Sequence, residues 1–97
     1  MLIYDNGLYG TIRMHQEREY PGRVLGTGLK NPDFAAYARA FGAHGELVEA
    51  TDQFEPAFER ARASGKPALI ELRIDAEAIT TSTTLSAIRT RALERKK

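Results

Sequence analysis

Lys66-Pro67-Ala68-Leu69-Ile70-Glu71-Leu72-Arg73-Ile74 is the stretch on which the fold turns. On an extended chain Ala68, Ile70, Leu72 and Ile74 share one face, and Leu69 shares the other with Glu71 and Arg73. This is the strongest strand signal in the chain. Upstream, Phe54, Ala57, Phe58 and Ala61 fall on one helical stripe that Ser64-Gly65 closes. Asp52 and Glu55 predict a capping box there, with Pro56 tolerated in the first turn. Glu46-Leu47-Val48-Glu49 reads as a short strand before that helix.

Further upstream, Asn31 is expected as an N-cap, with Pro32 at the first helical position and Asp33 in the first turn. Phe34, Ala35, Tyr37, Ala38 and Phe41 follow at helical spacing, and Gly42 ends the run. Thr11 to Glu19 predicts another helix, stopped by Pro21-Gly22. Residues 22 to 29 carry three glycines with little periodicity and read as a flexible loop. Leu2-Ile3-Tyr4 reads as the end of a buried strand that turns at Asp5-Asn6-Gly7. A hairpin is the alternative for Asn-Gly, but no alternating strand follows Gly7. Met1 is therefore expected to be a start placed inside a larger architecture.

The order is strand, helix, loop, helix, strand, helix, strand. That order implies an α/β fold, a partial doubly wound parallel sheet with flanking helices. The expected division is residues 1–78 for this sheet and 79–97 for a linker and a basic C-terminal helix. Thr80 to Thr84 is nearly all hydroxyl, and Leu85, Ile88, Ala92 and Leu93 form a narrow apolar stripe. Arg89, Arg91, Arg95, Lys96 and Lys97 make the end basic, which suits a solvated helix C-terminus better than RNA or a membrane. Three short strands do not easily cover both faces, so a fuller sheet or a partner subunit is expected.

Composition narrows the classes further. Lys plus Arg total 14 against 13 acids, a net charge of +1 that argues against dedicated nucleic-acid binding. With no cysteine among 97 residues, disulfides, thiolate metal sites and Cys nucleophiles are excluded. No apolar run approaches the ~20 residues of a membrane span, so no membrane partner and a cytoplasmic location are expected.

In parallel sheets, ligands gather beyond the carboxyl ends of the strands. Asp5, Asn6, Gly7, Leu8, Tyr9 and Gly10 stand there after the first strand. Asn6 offers a neutral amide oxygen suited to Mg²⁺ or Ca²⁺, and a sharp turn at Gly7 can bring the Leu8 carbonyl to the same ion. The N–H groups of Tyr9 and Gly10, opening the next helix, can face a phosphate. A purely structural turn is the competing reading. His15, Glu17 and Glu19 are two residues apart, so successive side chains point about 200° apart and read as a polar helix face, not a metal site. His44 is expected at the surface, in a connection. Ser82, Thr83 and Thr84 have no paired base, and no residue is assigned a catalytic role.

Asp5 to Gly10, Arg13-Met14-His15-Gln16-Glu17, Asn31-Pro32-Asp33-Phe34 and Gly65 to Glu71 together resemble the thiamine-diphosphate-dependent enzymes of the acetolactate synthase type. The resemblance covers about residues 2 to 75. It implies that Asn6 and the Leu8 carbonyl hold Mg²⁺, and that Asn6, Gly7, Leu8, Tyr9 and Gly10 bind the cofactor. Asp5 stands where the family usually has an asparagine. The family's Gly-Asp-Gly, with its metal-binding aspartate, is absent from these residues, as is the domain whose glutamate activates the cofactor. The resemblance therefore implies the C-terminal part of a diphosphate-binding domain, inactive alone. The full enzyme would be a homo-oligomer acting on 2-keto acids, with Tyr9, Met14 and His15 near its substrate pocket. The rival expectation is a truncated, non-catalytic relative that serves as an oligomerisation or subunit-interaction module.

Overall fold

The computed structural model describes residues 1–96. They gather into two compact units: Met1–Asp5 with Asn31–Ile74, and Asn6–Lys30 with the chain from Asp75 onward.

The first unit holds a three-stranded parallel sheet in the order β1-β3-β2, formed by β1 (Leu2–Asp5), β3 (Ala68–Arg73) and β2 (His44–Val48). The last strand in sequence lies in the middle. Leu2 pairs with Ile70 on one side of it and Glu46 with Ile70 on the other. Helices α2 (Phe34–Ala40) and α3 (Phe54–Ala63) cover opposite faces, a placement that the two-residue period of β2 reveals. Val48 packs with Ala57, Ala61 and Ile70 in the core beneath α3, bordered by Phe54, Ala68 and Leu72. Gly45, of opposite parity, faces α2, and a Cβ there would lie 2.3 Å from the Ala35 carbonyl oxygen. Only a glycine lets the α2 backbone approach the sheet so closely.

Several local expectations are corrected. The α2 N-cap is Asp33, not Asn31: its Oδ1 accepts from the Ala36 N–H at 3.0 Å, so Pro32 precedes the helix. The buried stripe of α2 is made by Ala35 and Ala38, while Tyr37 and Phe41 stand exposed. Small side chains face the sheet because the helix lies close upon it. Phe58 on α3 is half-exposed for the same reason, while Ala57 and Ala61 are buried. β2 begins at His44, so that histidine belongs to a strand and not to a connection. The capping box is not formed: a single 3₁₀ turn, Thr51–Gln53, leads into α3 without a side-chain cap. Gln53 instead accepts from the Glu49 N–H at 2.9 Å. Ile74 lies past the end of β3 and is 44% exposed.

The second unit is built on α1 (Gly10–Glu19) and α4 (Leu85–Arg95), packed against each other. Thr84 caps α4 by accepting from the Ala87 N–H at 3.1 Å. The Glu77 carboxylate takes the Ser86 N–H and hydroxyl at 2.8 and 2.7 Å. Those bonds hold it below the usual carboxylate range. Leu85, Ile88 and Ala92 are buried as expected, whereas Leu93 is half-exposed.

Glu17 overturns the polar-face reading of α1, because it is fully buried. Arg89 clasps it from α4 through Nε at 2.7 Å and Nη2 at 2.6 Å. Arg13 Nε and the Gly22 N–H add bonds at 3.2 and 3.1 Å. Arg89 is thus an internal partner and not part of a solvated basic end. No helix of the described residues is long and apolar enough to cross a membrane.

Candidate functional site

The chain leaves β1 at Asp5 and makes a sharp turn before α1. Gly7 sits at φ +74°, a left-handed conformation that L side chains resist. The Asn6 Oδ1 accepts from the Leu8 N–H at 3.2 Å, which fixes the amide over the turn. An amide oxygen has two lone pairs, so this bond leaves one acceptor position on Asn6. Gly10 completes the packing: a Cβ there would come within 3.0 Å of both Asn6 Nδ2 and Ile79 Cδ1.

The loop of residues 22–29, expected to be flexible, is fastened to this turn. Leu8 forms an antiparallel bridge with Gly28. The Tyr9 N–H donates to the Thr27 carbonyl and the Leu29 N–H to the Gly7 carbonyl, at 2.9 and 2.8 Å. This pairing leaves the Leu8 carbonyl outside it. Gln16 reaches the same loop from α1, accepting from the Thr27 hydroxyl at 3.0 Å and donating to the Leu25 carbonyl at 2.9 Å. Thr27 is buried accordingly.

The five expected cofactor residues are therefore one structured turn, which carries two neutral oxygens, the Asn6 amide and the Leu8 carbonyl. Tyr9 is the N-cap of α1 and supplies no side-chain cap. Its own N–H serves the Thr27 carbonyl, so of the two amides expected to meet a phosphate, only the Gly10 N–H lies outside that pairing. Met14 is half-buried in a cleft bordered by Arg18 and Ile88, whereas the exposed His15 is not among that cleft's lining residues. Among the described residues no three His, Asp or Glu side chains converge on a possible metal position.

In the first unit, Asp5 accepts from Asn31 Nδ2 at 3.0 Å. Burial pushes the Glu71 carboxyl above the usual range, and hydrogen bonding to the Asp5 carboxylate and repulsion from it add to the effect. Across β2, Glu46 accepts from Arg60 at 2.6 Å and contacts His44 Nε2 at 2.7 Å. Arg60 first, and His44 after it, keep Glu46 below its ordinary range. Sequence reasoning missed the polar ties of Glu17, Thr27 and Glu71. Glutamate in the middle of Leu69-Ile70-Glu71-Leu72, a strand due to be covered on both faces, was the one local sign available.

A parallel sheet with a helix against each face and a tight glycine turn after its first strand defines an α/β fold of the kind that gathers ligands at the carboxyl ends of its strands. Residues 1–72 match the model of the thiamine pyrophosphate enzyme C-terminal TPP binding domain, and the chain belongs to that family. It is 35% identical over 74 residues to a probable acetolactate synthase of Mycobacterium bovis, a match covering 76% of this chain and 14% of that protein. It is 36% identical over 76 residues to the acetolactate synthase isozyme 2 large subunit of Escherichia coli, covering 77% of this chain and 14% of that one. The chain thus spans about one seventh of the length of the relatives it matches.

Proposed function

We propose that this chain supplies the C-terminal segment of the cofactor site in a thiamine-diphosphate- and Mg²⁺-dependent enzyme acting on 2-keto acids. The observation that carries the reading is the Asn6–Gly10 turn, whose amide oxygen is fixed by the Leu8 N–H in a chain of this family. Two neutral oxygens suit Mg²⁺, which takes a few protein oxygens and completes its octahedron from phosphate and water. They fit the group as part of a set, with carboxylate and phosphate oxygens coming from outside these residues. When bound, thiamine diphosphate supplies the nucleophilic carbon that takes up the 2-keto acid and allows it to lose CO₂.

The chain's own share is to bind and orient. Asn6 directs its amide oxygen and Leu8 its carbonyl, while the Gly10 N–H at the start of α1 meets a diphosphate oxygen. The pinned 22–29 loop holds that turn in place. Met14 and His15 are assigned to the neighbourhood of the substrate in the complete enzyme. That enzyme is a cytoplasmic homo-oligomer in this reading, and the 97-residue chain alone is inactive. In the complete enzyme Gly10→Ala should displace the Asn6 amide and raise the Kd for thiamine diphosphate about tenfold, the weight of one charge-assisted contact. Unchanged cofactor binding by titration calorimetry would remove Asn6 from the site. Turnover of pyruvate by the 97-residue chain with Mg²⁺ and the cofactor would overturn the inactivity.

One observation favours a second reading, a non-catalytic association module. Leu2 and Tyr4 lie on the α3 face of the edge strand β1 and are 41% and 67% exposed, because α3 packs mainly on β2 and β3. An edge strand with apolar outward residues invites pairing. A strictly monomeric chain by light scattering at high concentration would count against it.

A further inference from the structure

Outside the Asn6–Gly10 turn, the second unit holds a cleft of about 430 Å³ between α1, α4 and the hydroxyl-rich segment before α4. That volume is of small-molecule size. Three arginines rim it: Arg18 from α1, and Arg91 and Arg95 from α4. Arg95 Nη2 donates to the Arg18 carbonyl at 3.1 Å, which brings the two helix ends together. Arg13, Arg60, Arg62, Arg73 and Arg89 each face a carboxylate. Arg18, Arg91 and Arg95 face none within 4.0 Å among the described residues. Arg91 and Arg95 are four residues apart on one helix face, a like-charge spacing that is unfavourable unless an anion screens it.

The rest of the lining fits the same ligand. Thr80, Ser82 and Thr83 border the cleft on one side. The Thr80 Oγ1 accepts from the N–H groups of Ser82 and Thr83 at 3.2 and 3.0 Å, so this hydroxyl-bearing wall is a formed turn. The apolar part of the lining is Met14, Ile88 and Ala92. Guanidinium forks match the oxygens of a phosphoryl group, hydroxyls add donors, and the apolar part suits a carbon skeleton.

We propose that this cleft is a binding site for a phosphorylated small molecule, its phosphoryl group held by Arg18, Arg91 and Arg95 and its carbon part on Met14, Ile88 and Ala92. Three cations around one cleft fit a dianion better than a monocarboxylate, and the limited volume favours a single phosphoryl compound over a nucleic-acid strand. The cleft shares Met14 with the proposed substrate neighbourhood but none of its residues with the Asn6–Gly10 turn, and it does not rest on the cofactor reading.

Phenyl phosphate, inorganic phosphate and benzoate, each titrated into the ¹⁵N-labelled 97-residue chain, provide the test. Phenyl phosphate is expected to shift the amides of Met14, Thr80, Thr83 and Ala92, and to bind about tenfold more tightly than inorganic phosphate or benzoate. Equal affinity for inorganic phosphate would reduce the site to a bare anion hole and overturn the small-molecule assignment. Equal affinity for benzoate would overturn the phosphoryl assignment. Arg91→Gln, at an exposed position, should weaken phenyl phosphate about tenfold, and Arg91→Lys by less, because the charge stays but the fork is lost. The distant Arg62→Gln should have no effect. A response in Arg91→Gln equal to that of Arg62→Gln, or tighter binding of oligouridylate than of phenyl phosphate through the same arginines, would refute the proposal. Asn6→Ala should leave phenyl phosphate binding intact, so failure of the cofactor reading and failure of this one are separable.

Discussion

Replacing Arg89 with Met keeps most of the side chain's volume and leaves the buried Glu17 carboxylate only the weaker bonds from Arg13 and the Gly22 N–H. Glu17 has no exposed surface, and Arg89 supplies its two shortest bonds, at 2.6 and 2.7 Å. The first cause of its depressed pKa, from 4.5 to about 2, is the hydrogen bond with Arg89. A depression of that size corresponds to about 3 kcal/mol of native-state preference for the charged form. Removing one partner of a fully buried pair costs about 3–5 kcal/mol; with Arg89 38% exposed and the Arg13 and Gly22 bonds retained, the loss falls at the low end of that range. Arg89→Met is therefore expected to lose about 3 kcal/mol at pH 7, measured by urea unfolding of the second unit with amide NMR. The sign with pH follows from the direction of the shift. A carboxyl with a lowered native pKa stabilises fully above its unfolded pKa, and that contribution fades as pH falls from about 4.5 to about 2. The gap between wild type and Arg89→Met should narrow over that same window. A loss below about 1 kcal/mol at pH 7, or a gap that does not change with pH, would refute the reasoning, since surface pairs behave that way.

Two further substitutions probe the scaffold. Gly45→Ala places a methyl 2.3 Å from the Ala35 carbonyl oxygen, a backbone atom that cannot swing aside. It should cost about 1–3 kcal/mol, seen as a lowered Tm, and an unchanged Tm would mean that α2 does not lie against the sheet as described. Thr84→Ala removes the cap on α4 but leaves the Glu77 bonds to Ser86, so a loss near 1 kcal/mol in urea is expected. A loss above about 2 kcal/mol would show that Glu77 contributes nothing to that helix end.

Much of the local structure was legible in the residues. Pro21-Gly22 stops α1 within two residues of its observed end, and Thr84 caps α4, because such punctuation acts through bonds a few residues long. Helix and strand types followed from periodicity, and the Asn6–Gly10 turn from asparagine and glycine chemistry. Boundaries failed where two caps competed: Asp33 won over Asn31, and Asp52 lost to a 3₁₀ turn. Which aromatic residues are buried does not follow from the helical stripe. Alternation cannot show how near a helix lies to a sheet, and close approach turned Ala35, Ala38, Ala57 and Ala61 inward in place of Tyr37, Phe41 and Phe58.

What the sequence by itself determined is the α/β alternation and the chemistry of the turn after β1, both set by residues close together in the chain. Only the tertiary structure decided that β3 would lie between β1 and β2, and that Arg89 would close on Glu17 across 72 positions. It alone joined Arg18 to Arg91 and Arg95 around one cleft. Those outcomes depend on which surfaces meet when the chain compacts. A glutamate on a helix carries the same letters whether water or a guanidinium lies opposite it.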